Sequence, residues 1–352
     1  MKKQVTNLLL MLFLVVCQIS YPQNDLKTAE ETKISPLFQS DAILPIELSY
    51  SIRDLKKETN DSTYVDSKLK FFSDDEWKTL DVEMRVRGNF RLRECYFPPV
   101  KLKIKKAQRK NTIFEEDKKL KVVMPCLKEK GNSDDVIKEF LAYKIYELIS
   151  PYHFNTRLVD IKLIEEVRNK VKEYEIKGFL IEDLDNVLDR FGGREVKRKV
   201  HPMAQENLNC VRNEFFQFMI GNTDFSTAYS HNQKLMYLDG PIIPIPYDFD
   251  LCGLVDPSYG VVSAVGKDPL PIESVTERYY RGFKRGNVYF EQVRKEFLDK
   301  RAEVLATMEQ YETYFENEQT YGRAKDFIIE FYNILANDND FNNLIVARAR
   351  DN

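Results

Sequence analysis

Between Gly221 and Asp250 the chain is forced back on itself, and no other stretch restricts the fold as tightly. Glu206 to Ile220 carries Leu208, Val211, Phe215, Phe218 and Met219 at helical spacing. Gly221 follows, a residue able to take the left-handed conformation that closes a helix. A loop with Asn222-Thr223-Asp224 and His231-Asn232 leads into two strands, Lys234–Leu238 and Ile242–Tyr247. Asp239-Gly240 between them is a strong hairpin signal. The second strand is almost wholly apolar yet ends in Asp248-Phe249-Asp250. Folding the hairpin back returns Asn232 to the side of Asp248. Two acids at the end of a buried strand cost free energy unless they are paired or bind a cation.

The rest of the pattern is strands first and helices later. Trp77 to Arg87 alternates, with Leu80, Val82, Met84 and Val86 on one face and charges on the other, which predicts a half-buried strand. Val100–Ile104 and Leu120–Met124 read as further strands. A helix is predicted from the N-cap Ser133, with Asp134 and Asp135 in its first turn, to a stop at Pro151. Leu158–Ile164 and Tyr174–Ile181 read as two more strands. Beyond Pro271 the periodicity predicts helices at Tyr279–Lys284, Val288–Tyr314 and Tyr321–Ala336. With 352 residues, 43% of them hydrophobic, the chain can bury a large core. A net charge of −3, with acids and bases mixed along the chain, argues against a nucleic-acid partner or an anionic-membrane surface.

The first residues read as a signal peptide over 1–21: Lys2 and Lys3, then the apolar run Leu8–Val16, too short for a comfortable membrane span. A polar, flexible lead-in is expected over 22–42. Cys17 follows Val15-Val16, where a lipobox favours a small residue, and this argues against a lipid anchor. No later segment reads as a membrane span. The expected location is therefore outside the cytoplasm, periplasmic or secreted, where disulfides form. Cys95, Cys126, Cys210 and Cys252 remain. Cys95 and Cys126 fall in the same strand-rich region and make the favoured pair, with four buried thiols as the alternative.

Asp224, Asn232, Asp248 and Asp250 are the candidate chemical groups. Taken singly, Asp224 could start an Asx turn, Asn232 could satisfy a turn, and the last two could cap or form ion pairs. Taken in order they have a chemical meaning. A loop Asp can orient or deprotonate a hydroxyl, and a later Asn and Asp can hold a metal that carries nucleotide phosphates. Oxygen donors of this kind suit Mg²⁺. With only His153, His201 and His231 in the chain and no ligand-spaced pair among them, a His-based metal hydrolase or a Ser-His-Asp triad is hard to build. Gly192-Gly193-Arg194 with Lys197, Arg198 and Lys199 could face phosphates but reads more simply as a solvated loop.

The segments Gly221-Asn222-Thr223-Asp224, His231-Asn232 and Pro246-Tyr247-Asp248 resemble the atypical kinases related to the spore-coat protein CotH, and more remotely HipA-like kinases. The resemblance extends loosely to Arg87-Gly88-Asn89, Phe97-Pro98-Pro99 and Gly178-Phe179-Leu180-Ile181-Glu182. It implies an α+β, two-lobed, protein-kinase-like architecture. Residues 43–182 would form a small antiparallel β-rich N-lobe with one helix, and residues 183–352 a larger, mainly helical C-lobe. It implies Asp224 as the catalytic Asp, Asn232 and Asp248 as metal ligands and Asp250 as a second ligand or support. Lys121 would bind phosphate with Glu139 as its ion-pair partner, and Glu182 would lie at the hinge beside the adenine. The implied cofactors are ATP and Mg²⁺, with Mn²⁺ as a second option. The implied activity is transfer of the γ-phosphoryl group to a hydroxyl of a protein in the envelope or extracellular space. The alternatives are a catalytically inactive kinase-like binding protein of the cell envelope, and a metal-dependent hydrolase or nucleotidyl transferase using the same acids.

Overall fold

Seven strands in the first half of the chain wrap into one closed sheet. The computed structural model describes residues 34–88, 90–128, 132–167, 170–262 and 270–351. The expected signal peptide, Cys17, the lead-in up to residue 33 and Asn89 lie outside the described residues. The strands are β1 (Leu44–Ser49), β2 (Val65–Ser73), β3 (Glu76–Val86), β4 (Val100–Ile104), β5 (Lys119–Val123), β6 (Thr156–Val167) and β7 (Lys170–Glu182). Three helices interrupt them early, α1 (Ile52–Glu58), α2 (Phe90–Glu94) and α3 (Lys106–Arg109), and α4 (Asn132–Ile149) falls between β5 and β6.

The barrel order is β1-β2-β3-β4-β5-β7-β6, closing back to β1. Alternation makes it possible: in β3, Leu80, Val82, Met84 and Val86 are all buried and point the same way. Leu69 and Phe71 of β2 and Leu102 and Ile104 of β4 join them, and Phe71 meets Phe114 edge to face at 4.9 Å. Each such side chain taken from water contributes roughly 1.5–3 kcal/mol, and a barrel of this strand number has an interior that side chains alone can fill. Antiparallel pairs join neighbours, except that β1 runs parallel to β6, with Leu44 opposite Val159 and Ser49 opposite Ile164.

This overturns the predicted architecture. A small antiparallel kinase-type sheet is not what forms: β1 and β2 close the sheet into a seven-stranded mixed barrel, while the α+β class holds. The closure depends on the β1–β6 pairing between distant segments, which no local periodicity reports.

The second half adds α5 (Leu184–Phe191), the short β8 (Arg194–Glu195), α6 (Asn207–Met219), the hairpin β9 (Gln233–Tyr237) and β10 (Ile242–Pro246), then α7 (Asn287–Gln310), α8 (Glu318–Ala336) and α9 (Asp338–Phe341). The hairpin turns where Asp239-Gly240 predicts, with both residues at positive φ. The predicted helix at Tyr279–Lys284 is absent. That segment has no regular structure apart from Phe283, which forms an isolated bridge with Arg350. Helix α4 starts at Asn132, one residue before the predicted cap. Its buried residues Phe140, Tyr143 and Tyr146 pack a second core shared with α6, α7 and β10. Among the described residues no helix is long and apolar enough to cross a membrane. Cys95 and Cys126 form a disulfide with Cα atoms 4.4 Å apart.

Candidate active site

The loop after α6 is built to hold one carboxylate still. Gly221 ends the helix at φ +63, and a Cβ there would lie 2.9 Å from the Phe327 ring, so both backbone and space demand glycine. Asn222 is buried. Its amide donates to Gln217 Oε1 (2.8 Å), and its oxygen accepts from the Asp224 backbone N–H (2.8 Å). Asn232 then donates its amide to the Asp224 carbonyl (2.7 Å) and to Asp224 Oδ2 (2.9 Å). With its nitrogen committed to Asp224, the Asn232 side chain has only its oxygen left to offer a ligand. His231 Nε2 lies 3.5 Å from Asp224 Oδ1, and the hydrogen bond to Asp224 raises its pKa. A bridge between Ser226 and His231 closes the loop.

The end of β10 meets this loop. The Tyr247 N–H donates to the Asn232 carbonyl (3.1 Å), which places Asn232 beside the Tyr247-Asp248 turn as the folded-back hairpin requires. Asn232 (φ +52) and Asp248 (φ +68) both sit in the left-handed region. Asn and Asp tolerate it better than other side chains, and such positions gather at functional sites. The Asp248 N–H donates to the Tyr143 hydroxyl of α4 (2.9 Å), which fixes the turn against the helix.

Asp250 is buried, with Arg91 Nε 3.7 Å from its carboxylate. Arg91 also reaches Glu139 (3.5 Å) and donates to the Met124 carbonyl (2.7 Å). Burial, and then the charge of Asp248, push the Asp250 carboxyl up to about 6 against the pull of Arg91. Burial pushes Glu139 up to about 8; Arg91 opposes this while Asp250 and Asp248 add to it. Arg91 therefore serves several acids, and Arg87 adds a second positive charge acting on Glu139 and Asp250.

The barrel end supplies the cations. Lys121 of β5 is enclosed between two rings, its Nζ 5.0 Å from the Phe154 centroid and 4.9 Å from that of Tyr247. Burial, and then Arg87, lower its pKa to about 7, while Asp183 and Asp248 pull the other way. Neighbouring Lys101 pairs with Asp183 at 2.7 Å.

The structure thus gathers Asp224, Asn232, Asp248 and Asp250 with Glu139, and sets Lys121 within electrostatic reach of Asp248. It does not make the expected ion pair: Glu139 bonds Arg91, and Lys121 rests on aromatic faces. Glu182 is spent on structure. It accepts from the Asn155 N–H (2.6 Å) and pairs with Arg190 (2.9 Å). Arg91 and Tyr143 were not foreseen. Arg91 sits in a five-residue helix without periodicity, and its only sequence signal is an arginine-rich run between the Arg87-Gly88 turn and Cys95.

Among the described residues no three His, Cys, Asp or Glu side chains could hold a metal between them. The oxygen donors present are two neighbouring carboxylates, Asp248 and Asp250, and the Asn232 amide oxygen. No protein-family model matches the chain, and neither does any curated protein.

Proposed function

We propose that this chain is an exported phosphotransferase that moves the γ-phosphoryl of ATP to a hydroxyl of a protein acceptor. The observation that carries the reading is the Asp224 carboxylate, clamped by Asn232 and set beside the Asp248 turn, with the ring-flanked Lys121 at the adjoining barrel end. The reading rests on this site, not on the fold. Export is supported by the signal-like first residues and the Cys95–Cys126 disulfide.

In this reading the acceptor oxygen attacks the γ-phosphorus as its proton passes to Asp224. The new O–P bond forms while the bond to the ADP oxygen breaks. Asn232 keeps the Asp224 carboxylate aimed, which is positioning catalysis. Asp248, Asp250 and the Asn232 oxygen would hold Mg²⁺ or Mn²⁺, which when bound neutralises charge on the phosphates. Lys121, protonated by the approach of an anion, and Arg87 would face the phosphates from the barrel side. Arg91 keeps Asp250 and Glu139 from repelling one another.

A second reading, a binding protein of the envelope that retains this arrangement without activity, draws on one observation: Glu139 is paired with Arg91 rather than with Lys121. One experiment separates the two. Thermal unfolding is followed with and without ATP and Mg²⁺, in wild type and Asp248→Ala. Ligand at about a hundred times its dissociation constant stabilises by about 2.7 kcal/mol. Phosphotransfer predicts a rise in wild type that Asp248→Ala abolishes, followed by label transfer from γ-labelled ATP. No rise with any nucleotide and metal leaves the binding protein.

A further inference from the structure

Away from this site, three aromatic rings form a box. Tyr96, Phe97 and Tyr174 stand close to mutually perpendicular: Tyr96–Phe97 at 4.8 Å and 89°, Phe97–Tyr174 at 5.2 Å and 81°, Tyr96–Tyr174 at 6.0 Å and 62°. A cation already sits on it. Lys128 Nζ lies 3.5 Å from the Tyr96 centroid and 5.7 Å from that of Tyr174. Behind the rings both phenol hydroxyls donate to Glu165 Oε2, at 2.8 and 3.1 Å. Glu165 is buried, so little solvent screens it. Its charge is therefore felt through the phenols, which makes the ring faces more attractive to a cation.

Beside the rings lies a recess of about 890 Å³ lined by Phe97, Tyr174 and Lys128 together with Glu173, Glu175 and Glu316; Tyr96 lies outside its lining, under Lys128. Aromatic faces backed by a carboxylate and rimmed with acids select ammonium groups whose charge is spread over an apolar surface. Lys128 is exposed at the surface. The Cys95–Cys126 disulfide ties the two segments together, and the Tyr96 N–H donates to the Cys126 carbonyl (2.8 Å), so ring and lysine are held in register.

We propose that this box is a binding site for an organic ammonium ion, a quaternary amine or a methylated lysine side chain, and that Lys128 holds its place until the ligand displaces it. The proposal is independent of the phosphotransfer reading. Its test is calorimetric titration of the full-length protein with choline, with its neutral carbon analogue dimethylbutanol, and with a trimethyl-lysine peptide beside the unmodified peptide.

Choline is expected to bind wild type, to bind Lys128→Ala about tenfold more tightly, and to lose binding in Tyr174→Ala. The neutral analogue should not bind. Glu165→Gln, which preserves the shape, should weaken choline and guards against misfolding of the tyrosine variant. A peptide that binds more tightly than choline assigns the ligand to a protein, and the reverse order assigns it to a small molecule; either result upholds the site. No choline binding to folded Lys128→Ala, equal binding of the neutral analogue, or equal affinity in wild type and Lys128→Ala would overturn it.

Discussion

The barrel interior and the seam beside β10 are both buried, and they are built by opposite rules. Inside the barrel, Leu69, Phe71, Met84, Leu102 and Phe114 pack in one apolar cluster. At the seam, Arg91, Glu139 and Asp250 are also buried, with Lys121 half-buried beside them, and all four are ionisable. The first arrangement stabilises the fold with each contact. The second costs desolvation that its own ion pairs do not fully return, so stability does not explain it. Lys121, Glu139 and Asp250 have their pKa values moved toward neutrality, while Arg91 is held charged by the acids around it.

The predictions test that contrast, the largest effect first. Asp224→Asn should lower phosphoryl transfer by about 10²–10⁴-fold while the unfolding midpoint and the response to ATP with Mg²⁺ stay near wild type. A variant that loses stability instead would make Asp224 a structural residue. Phe114→Ala, inside the barrel, should cost about 3–5 kcal/mol in denaturant unfolding. Any activity that remains below its unfolding transition should show an unchanged Michaelis constant.

Replacing both Cys95 and Cys126 by Ser should cost about 3–4 kcal/mol, as expected for a loop of this length. Equal stability of the oxidised wild type and the double variant would show that the bridge adds nothing. The smallest effect concerns Asp117, a wholly buried acid that accepts from Asn186 (2.9 Å) and from Ser35. Burial pushes its pKa up to about 7. A carboxyl raised in the folded state stabilises fully below its unfolded value, and that stability is lost as pH rises through about 7. Asp117→Asn should therefore gain on the order of 2 kcal/mol over wild type at pH 8 and nothing at pH 4. Parallel stability curves would show that Asp117 ionises as freely when folded as when unfolded.

What the sequence revealed was local. The hairpin was legible because Asp239-Gly240 has few conformational choices, and the meeting of Asn232 with Asp248 follows from the hairpin alone. The strand at Trp77–Arg87 was legible because its alternation is strict. Barrel closure was not, because strand β1 finds β6 only after most of the N-terminal half has intervened, and β2 buries little beyond Leu69 and Phe71. Arg91 was hidden for the same reason: its partners Glu139, Met124 and Asp250 come from three separate segments. The resemblance carried Lys121 and Glu139 as a pair, and the closed barrel gives each a different neighbour.

The parallel pairing of β1 with β6 also sets an order of events for a nascent chain. Leu44–Ser49 leaves the ribosome early, but its parallel partner does not exist until Thr156–Val167 has been made. Until then one side of β1 presents unpaired backbone groups able to recruit strands from other molecules. Contacts of such long sequence separation form slowly. A chain truncated before β6 should therefore aggregate rather than fold to a partial barrel, and a chaperone that shields the first strand should raise the yield of the intact protein more than one that shields the later helices.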